Sequence, residues 1–258
     1  MKERKTTNMI GQHPAVKYAR VLAIRRSFAA QWAFVLARFS PRAYLGLHLT
    51  IGVVLLVGAS WMFGGIAEDV MNGDPLTITD KHVADWLHHR ATPEVTAAMQ
   101  VITTFGSFVW VTSVAVVAGL VLWWKRSWYR LLALVLVVPG GAVLLSLLKL
   151  AFHRHRPTFD DAFLLFQGYS FPSGHTMAAT DLYGLLAVFA VLAFEAWRHR
   201  TLAILWASVM ALLVGFSRLY LGAHYLSDVL GGVAAGLAWL AVSLTAVDTV
   251  RRKRGHLL

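Results

Sequence analysis

Six stretches of the chain approach the roughly 20 apolar residues that a helix needs to cross about 30 Å of hydrocarbon. They lie at about Tyr44 to Ala67, Ser107 to Trp124, Trp128 to Leu148, His175 to Trp197, Thr201 to Phe216 and Asp228 to Val247, the fifth being short. Two further stretches alternate instead of running. From His13 to Arg42, Val21, Leu22, Ile24, Phe28, Trp32 and Phe34 are mixed with basic residues, and the apolar core from Phe28 to Ala37 is too short to span. This segment is expected along the cytoplasmic membrane surface. From Leu76 to Phe105, Val83, Trp86, Leu87, Val95, Met99 and Ile102 recur at spacings of three and four among charged residues, the pattern of an amphipathic helix on the outer face. No internal repeat, low-complexity segment or long Pro/Gly/Ser linker divides the chain. The expected architecture is all-α: a polytopic six-helix membrane domain over 44–248, a basic interfacial segment before it (1–43) and a basic cytoplasmic tail after it (249–258).

Cations orient this bundle. With six crossings both ends share a side, and that side collects Lys2, Arg4, Lys5, Lys17, Arg20, Arg25, Arg26, Arg38 and Arg42, then Lys125, Arg126, Arg130, Arg198 and Arg200, and finally Arg251, Arg252, Lys253 and Arg254. These are 18 of the 24 Lys and Arg, so the side is cytoplasmic. Lys81, Arg90, Lys149, Arg154, Arg156 and Arg218 remain outside, four of them at helix ends beside the membrane, where a cation is costly unless it has a task.

Composition narrows the classes. Of the 258 residues, 57% are hydrophobic and 14% charged, against about 25% charged in a soluble domain. The net charge of +11 does not signal nucleic acid, because six apolar runs have no use there. The absence of cysteine removes thiolate metal sites, disulfides and cysteine nucleophiles. The polar, basic first 26 residues do not read as a cleavable signal.

Three clusters fall at the outer ends of the third to sixth crossings: Lys149 to Pro157 with Arg156 inside it, Pro172-Ser173-Gly174-His175, and Ser217-Arg218 followed by His224 and Asp228. Gathered in one pocket, Lys149, Arg156 and Arg218 would converge with Ser173 and the backbone N–H groups that open a helix at Gly174. Helix N-termini accept anions, glycine permits close approach, and guanidinium forks match phosphate oxygens. Two histidines and an aspartate add chemistry to binding. Asp228, four residues beyond His224 and on one face if the sixth helix begins by His224, would fix the imidazole tautomer and leave a nitrogen lone pair free to attack phosphorus. A protonated His175 would donate to the leaving oxygen and then deprotonate water. Each cluster alone has a structural use, as a cap, a snorkelling cation or a buried pair; the joint occurrence carries the chemistry.

The pattern K-x6-R-P, P-S-G-H and S-R-x5-H-x3-D resembles the signature of the type 2 phosphatidic acid phosphatase superfamily. That superfamily also includes bacterial undecaprenyl-diphosphate phosphatases, phosphatidylglycerophosphatases, glucose-6-phosphatase and the vanadium haloperoxidases. The match runs without substitution over about Lys149 to Asp228 and leaves the first 43 residues outside. The resemblance implies that His224 is similar to the family's phosphohistidine nucleophile, Asp228 to its orienting partner and His175 to its general acid. It implies that Lys149, Arg156, Ser173, Gly174 and Arg218 match the phosphate ligands, with no metal and no cofactor required.

Other residues are weighed differently. His82, His88 and His89 with Asp85 approach metal-ligand spacing but are expected to form the polar face of a surface helix. His153, Arg154 and His155 occupy positions that the pattern leaves open and are expected to tune potential without touching phosphorus. Asp181, well inside the fourth crossing, is expected to be a buried carboxylate bonded to a neighbouring helix. The loop from Thr158 to Phe171 carries Phe159, Phe163, Leu164, Leu165, Phe166, Tyr169 and Phe171, more apolar surface than a soluble phosphate ester needs.

The expected substrate is therefore a membrane lipid phosphate or diphosphate held in the bilayer, with undecaprenyl diphosphate ahead of phosphatidylglycerol phosphate and phosphatidate by resemblance. The expected place is the bacterial inner membrane, both termini cytoplasmic and the site facing the periplasm or exterior. A vanadate-dependent haloperoxidase, a lipid transporter or flippase with an anion site, and a non-catalytic lipid binder are the competing readings.

Overall fold

The computed structural model describes residues 47–73, 75–157 and 168–255. The chain divides into two units, 1–50 and 51–258; of the first only the opening turn of α1 is described, so the expected interfacial segment lies outside the described residues. The helices are α1 (Leu47–Asn72), α2 (Pro75–His88), α3 (Pro93–Thr104), α4 (Phe108–Trp124), α5 (Trp128–Phe152), α6 (Gly174–Ala193), α7 (Trp197–Tyr220) and α8 (Leu226–Gly255). Among the described residues there is no strand. Six spans are long and apolar enough to cross a membrane, so the chain is an all-α, six-span bundle as its hydropathy pattern predicts.

Several boundaries differ from the pattern, the first span ending at Asn72 and the sixth running to Arg254. The fifth span is not short: it is all of α7, 24 residues from Trp197 to Tyr220, because its first turn, Trp197-Arg-His-Arg200, is polar yet helical. The fourth span stops at Ala193. The amphipathic segment is two helices, α2 and α3, in place of one continuous helix. The buried side of α2 holds Asp80, Ala84 and Leu87, while His82, Asp85 and His89 are exposed. The second helix, α3, leads through a short break at 105–107 into α4, and the apolar stretch counted over both runs Pro93–Trp124.

Local chemistry explains the break between α3 and α4. Thr92 caps α3, accepting from Val95 N at 3.5 Å, with Pro93 in the first turn, where its missing N–H costs nothing. Ser107 caps α4, accepting from Trp110 N at 3.3 Å. Between them, a side chain on Gly106 would meet Val214 Cγ1 at 2.4 Å and the His175 carbonyl at 2.9 Å, so only glycine lets this corner press on α6 and α7. Tyr183 donates its hydroxyl to the leftover Phe105 carbonyl at 2.8 Å and accepts the Trp110 indole N–H at 3.1 Å.

Helices α6 and α8 form the centre. Half of each spanning window is buried, against 17–28% for the other spans, and α6 packs chiefly on α7 and α8. Gly232 and Gly236 of α8 leave no room for side chains against Ser173, Thr176, Met177 and Thr180 of α6, the close approach that small residues allow between membrane helices. One core cluster joins Val111, Leu182, Tyr183, Ala207 and Val214; another joins Leu134, Val137, Leu185, Leu240 and Val247. Pro139 lies within α5, and the Trp239 indole of α8 donates to the carbonyls of Leu136 and Val137 at 3.1 Å just before it. Outward faces stay apolar, with Trp61, Trp124 and Trp197 all more than 75% exposed, as expected where the solvent is lipid.

Candidate active site

The three sequence clusters meet at one end of the bundle, where α5 ends, α6 begins, α7 ends and α8 begins. Helix α5 closes at His153, whose left-handed backbone (φ 47) turns the chain toward Arg154 and Arg156. Ser170 N then bonds the Arg154 carbonyl at 2.8 Å, and Ser173 N bonds the Asp228 carbonyl at 2.9 Å, fastening both loops to the start of α8.

His224 and Asp228 are together, although not on one helical face. Helix α8 begins at Leu226, so His224 sits in the preceding turn and its Nδ1 reaches Asp228 Oδ2 across the junction at 3.4 Å. The other nitrogen, Nε2, stands 3.3 Å from Arg156 Nη1. A proton on Nδ1 would face the carboxylate and leave the Nε2 lone pair toward the guanidinium. Arg156 is held for this by the carbonyls of Ala223 at 2.7 Å and Gly168 at 3.0 Å.

The remaining candidates close in around the pair. Lys149 Nζ donates to the Tyr169 carbonyl at 2.7 Å, and its Cε lies 4.0 Å from the point where a Gly174 side chain would begin. Arg218 donates to Thr103 Oγ1 of α3 at 2.9 Å, which is what the unforeseen joining of α3 to the bundle provides. Ser173 is fully buried, precedes the first residue of α6 and accepts from Thr176 Oγ1 at 2.9 Å. His175 follows in the first turn, within electrostatic reach of Arg218, His224, Arg156 and Lys149.

Burial dominates the electrostatics. It pulls the His224 imidazole down to about 4, with Arg156 and Arg218 pushing the same way and Asp228 opposing. Burial also lowers Arg156. On Arg154 burial acts downward as well, but Asp228 and Asp80 outweigh it and the guanidinium is held above its ordinary value.

Arg154 belongs to a network that the motifs do not reveal. It donates to Asp228 Oδ1 and Ser227 Oγ at 2.6 Å and to Asp80 Oδ2 at 2.7 Å, and lies 4.6 Å over the Tyr225 ring. Asp80, on α2, also receives the Ser227 N–H at 2.8 Å and the Ser227 hydroxyl. Asp228 further accepts Tyr225 N at 2.9 Å and the Ser170 hydroxyl. Every donor is aimed at a fully buried carboxylate, so the aspartate beside His224 has one orientation. Arg154 thus does more than tune potential. The one signal in the sequence was a cation at a membrane edge with no assigned task.

Two expectations change. Phe171 is not lipid-facing: it is fully buried against Phe63 and Phe152. Phe159, Phe163, Leu164, Leu165 and Phe166 lie outside the described residues. Asp181 bonds no neighbouring helix among the described residues, and its Oδ1 is buried without a hydrogen-bond partner.

Comparison with known proteins gives the same grouping. The model of the PAP2 superfamily matches residues 128–252. Phosphatidylglycerophosphatase B of Bacillus subtilis is 36% identical over 148 residues, 56% of this chain and 71% of that protein. Lipid A 1-phosphatase of Rhizobium johnstonii is 38% identical over 134 residues, 48% of this chain and 50% of that protein, so the chain spans about half its length. Among solved structures, the transmembrane PAP2 type phosphatidylglycerolphosphate phosphatase of Bacillus subtilis superposes with a TM-score of 0.67 at 29% identity, covering 77% of this chain and 96% of that one. LpxE of Aquifex aeolicus shares the fold, with a TM-score of 0.50 at 24% identity over 64% and 94% of the two chains.

Proposed function

The chain belongs to the PAP2 superfamily and its relatives are named phosphatases, from which we propose that it removes phosphate from a membrane lipid through a phosphohistidine at His224. The observation that carries this reading is the placement of the His224 imidazole, with Asp228 Oδ2 at 3.4 Å on one nitrogen and Arg156 at 3.3 Å on the other.

In the proposed reaction Lys149, Arg156 and Arg218 hold the phosphate oxygens, joined by Ser173 and the backbone N–H groups opening α6 at Gly174. Nε2 of His224 attacks phosphorus; the P–N bond forms as the bond to the lipid oxygen breaks. The charge left on the imidazolium is balanced by Asp228. His175 gives its proton to the departing oxygen, then takes one from the water that cleaves the P–N bond, so phosphate leaves and both histidines are restored. Three cations and a helix N-terminus stabilise the extra charge on the transferring group, the term that dominates phosphoryl transfer.

The substrate class is a lipid phosphate or diphosphate, of which undecaprenyl diphosphate, phosphatidylglycerol phosphate and phosphatidate are members. An apolar cavity reaching Gly174 and His175 supports a substrate with its tail in hydrocarbon. The cation distribution supports a bacterial inner-membrane enzyme with cytoplasmic termini and a site facing the periplasm or exterior. The test is phosphate release from a panel of lipid phosphates by the purified protein without divalent cations. Wild type releases phosphate and His175→Ala and His224→Ala do not; equal release by all three contradicts the reading.

A further inference from the structure

Beside the site, a cavity of about 600 Å³ runs between α4, α5 and α6. It begins at His175 and Gly174, passes Phe108 and extends to Gly119 and Leu134, and its lining is apolar along almost its whole length. From Phe108 to Gly119 the wall of α4 descends about 16 Å at 1.5 Å per residue. Continuity with the phosphate site fixes the occupant: the hydrocarbon of the molecule whose phosphate is held above.

One wall residue does not suit plain hydrocarbon. Asp181 lines the cavity and is 2% exposed, and its Oδ1 has no partner. It lies on the stripe formed by Gly174 and Ala178, at i, i+4 and i+7, so its carboxyl sits on the cavity side of α6 about 9 Å below the level of His175. The opposite wall makes room for it, since a side chain on Gly141 of α5 would come within 2.3 Å of Asp181 Oδ2. A buried polar group without a partner is costly, and natural proteins keep few without a use.

We infer that Asp181 is a specificity-determining residue whose carboxyl, as the neutral acid, donates a hydrogen bond to an ester carbonyl oxygen in the linkage between phosphate and acyl chains, and so favours acyl lipids over polyprenyl ones. This rests on the phosphatase reading above. A polyprenyl chain is hydrocarbon from its first carbon and leaves the carboxyl unanswered; an acyl lipid presents oxygen within about a nanometre of its phosphorus. The preference therefore runs against undecaprenyl diphosphate and toward glycerolipid phosphates.

The test measures kcat/KM of the full chain in detergent micelles on diacyl phosphatidate, on the dialkyl ether analogue of equal chain length and on a polyprenyl phosphate. Each enzyme's ratio between substrates comes from one preparation, so the folded fraction cancels. Wild type is expected to favour the diacyl lipid over the ether by about tenfold, the worth of one hydrogen bond. Asp181→Leu is expected to bring that ratio near one and to spare the polyprenyl rate, Asp181→Asn to retain most of the preference, and Gly141→Ala to reduce it by displacing the carboxyl. An unchanged ratio in Asp181→Leu, or no preference in wild type, overturns the inference while leaving the phosphatase reading in place. Failure of wild type to release phosphate from any of the three lipids overturns both.

Discussion

Arg154 and Asp228 are joined at 2.6 Å, and the same guanidinium reaches Asp80 at 2.7 Å. One arginine from the end of α5 therefore ties a carboxylate on α2 to the carboxylate that faces His224. Tyr225 N and the Ser170 hydroxyl hold the Asp228 oxygen that faces His224 and Arg154 holds the other, so the placement of the imidazole depends in part on a helix that contributes none of the proposed phosphate ligands.

Removing Arg154 exposes this dependence. Arg154→Ala leaves two buried carboxylates uncompensated, a loss of about 3–5 kcal/mol of stability. In the fraction that folds, kcat falls by about 10–100-fold with a smaller change in KM, as for loss of a supporting contact. Arg154→Lys does not restore it, because an ammonium cannot fork between two carboxylates. Thermal unfolding and steady-state kinetics in detergent check both parts.

The pH profile follows from His224. A pKa lowered to about 4 keeps the ring neutral, hence nucleophilic, at every pH above that value. The limb of kcat/KM that belongs to His224 should bend near pH 4, well below the roughly 6.5 of a free imidazole. The shift also bears on folding: the stability it contributes is present above the unfolded value and is lost as pH falls toward 4, because the unfolded chain binds the proton first. A His224 limb at 6.5 would mean that the ring is not sealed as described.

Gly106 is a structural test of the α3–α4 corner. A methyl there collides with Val214 and with the His175 carbonyl, so Gly106→Ala should cost about 1–3 kcal/mol as overpacking. It should lower phosphate release more than an alanine at the exposed Val109, since the displaced backbone carries His175. Denaturation midpoints and activity, compared on the same preparations, decide this.

Arg156 separates charge from shape. Its fork contacts the carbonyls of Gly168 and Ala223 and stands at His224 Nε2, and a lysine keeps the charge but not the fork. Arg156→Lys should lose about 10²-fold in kcat/KM, and free phosphate should inhibit it less than wild type. Inhibition constants for inorganic phosphate give the comparison.

How much of this was readable from residue order differs between levels. The spans and the three clusters were plain because long apolar runs and fixed spacings are local properties. Asp80 was not, since on α2 it reads as one more charge on an amphipathic helix, and only the fold brings it to Arg154 and Ser227. Ser170 and Thr103 are short polar residues without spacing to mark them, and each takes its role from a partner 58 or 115 positions away. The division of the amphipathic segment into α2 and α3 has a local cause: Thr92 and Pro93 start a new helix inside an apolar periodicity that continues across them. Helical periodicity puts Asp181 in line with Gly174 and Ala178, but that these three share a cavity wall with residues of α4 and α5 is visible only in the fold.

The central claim is that His224 itself takes the phosphoryl group, and rapid quenching of the enzyme with a radiolabelled lipid phosphate tests it most directly. Wild type should carry label on protein that is lost in acid and stable in alkali, mapping to His224 and absent from His224→Ala. Turnover with no labelled protein at any quench time, or label persisting in His224→Ala, would contradict the account.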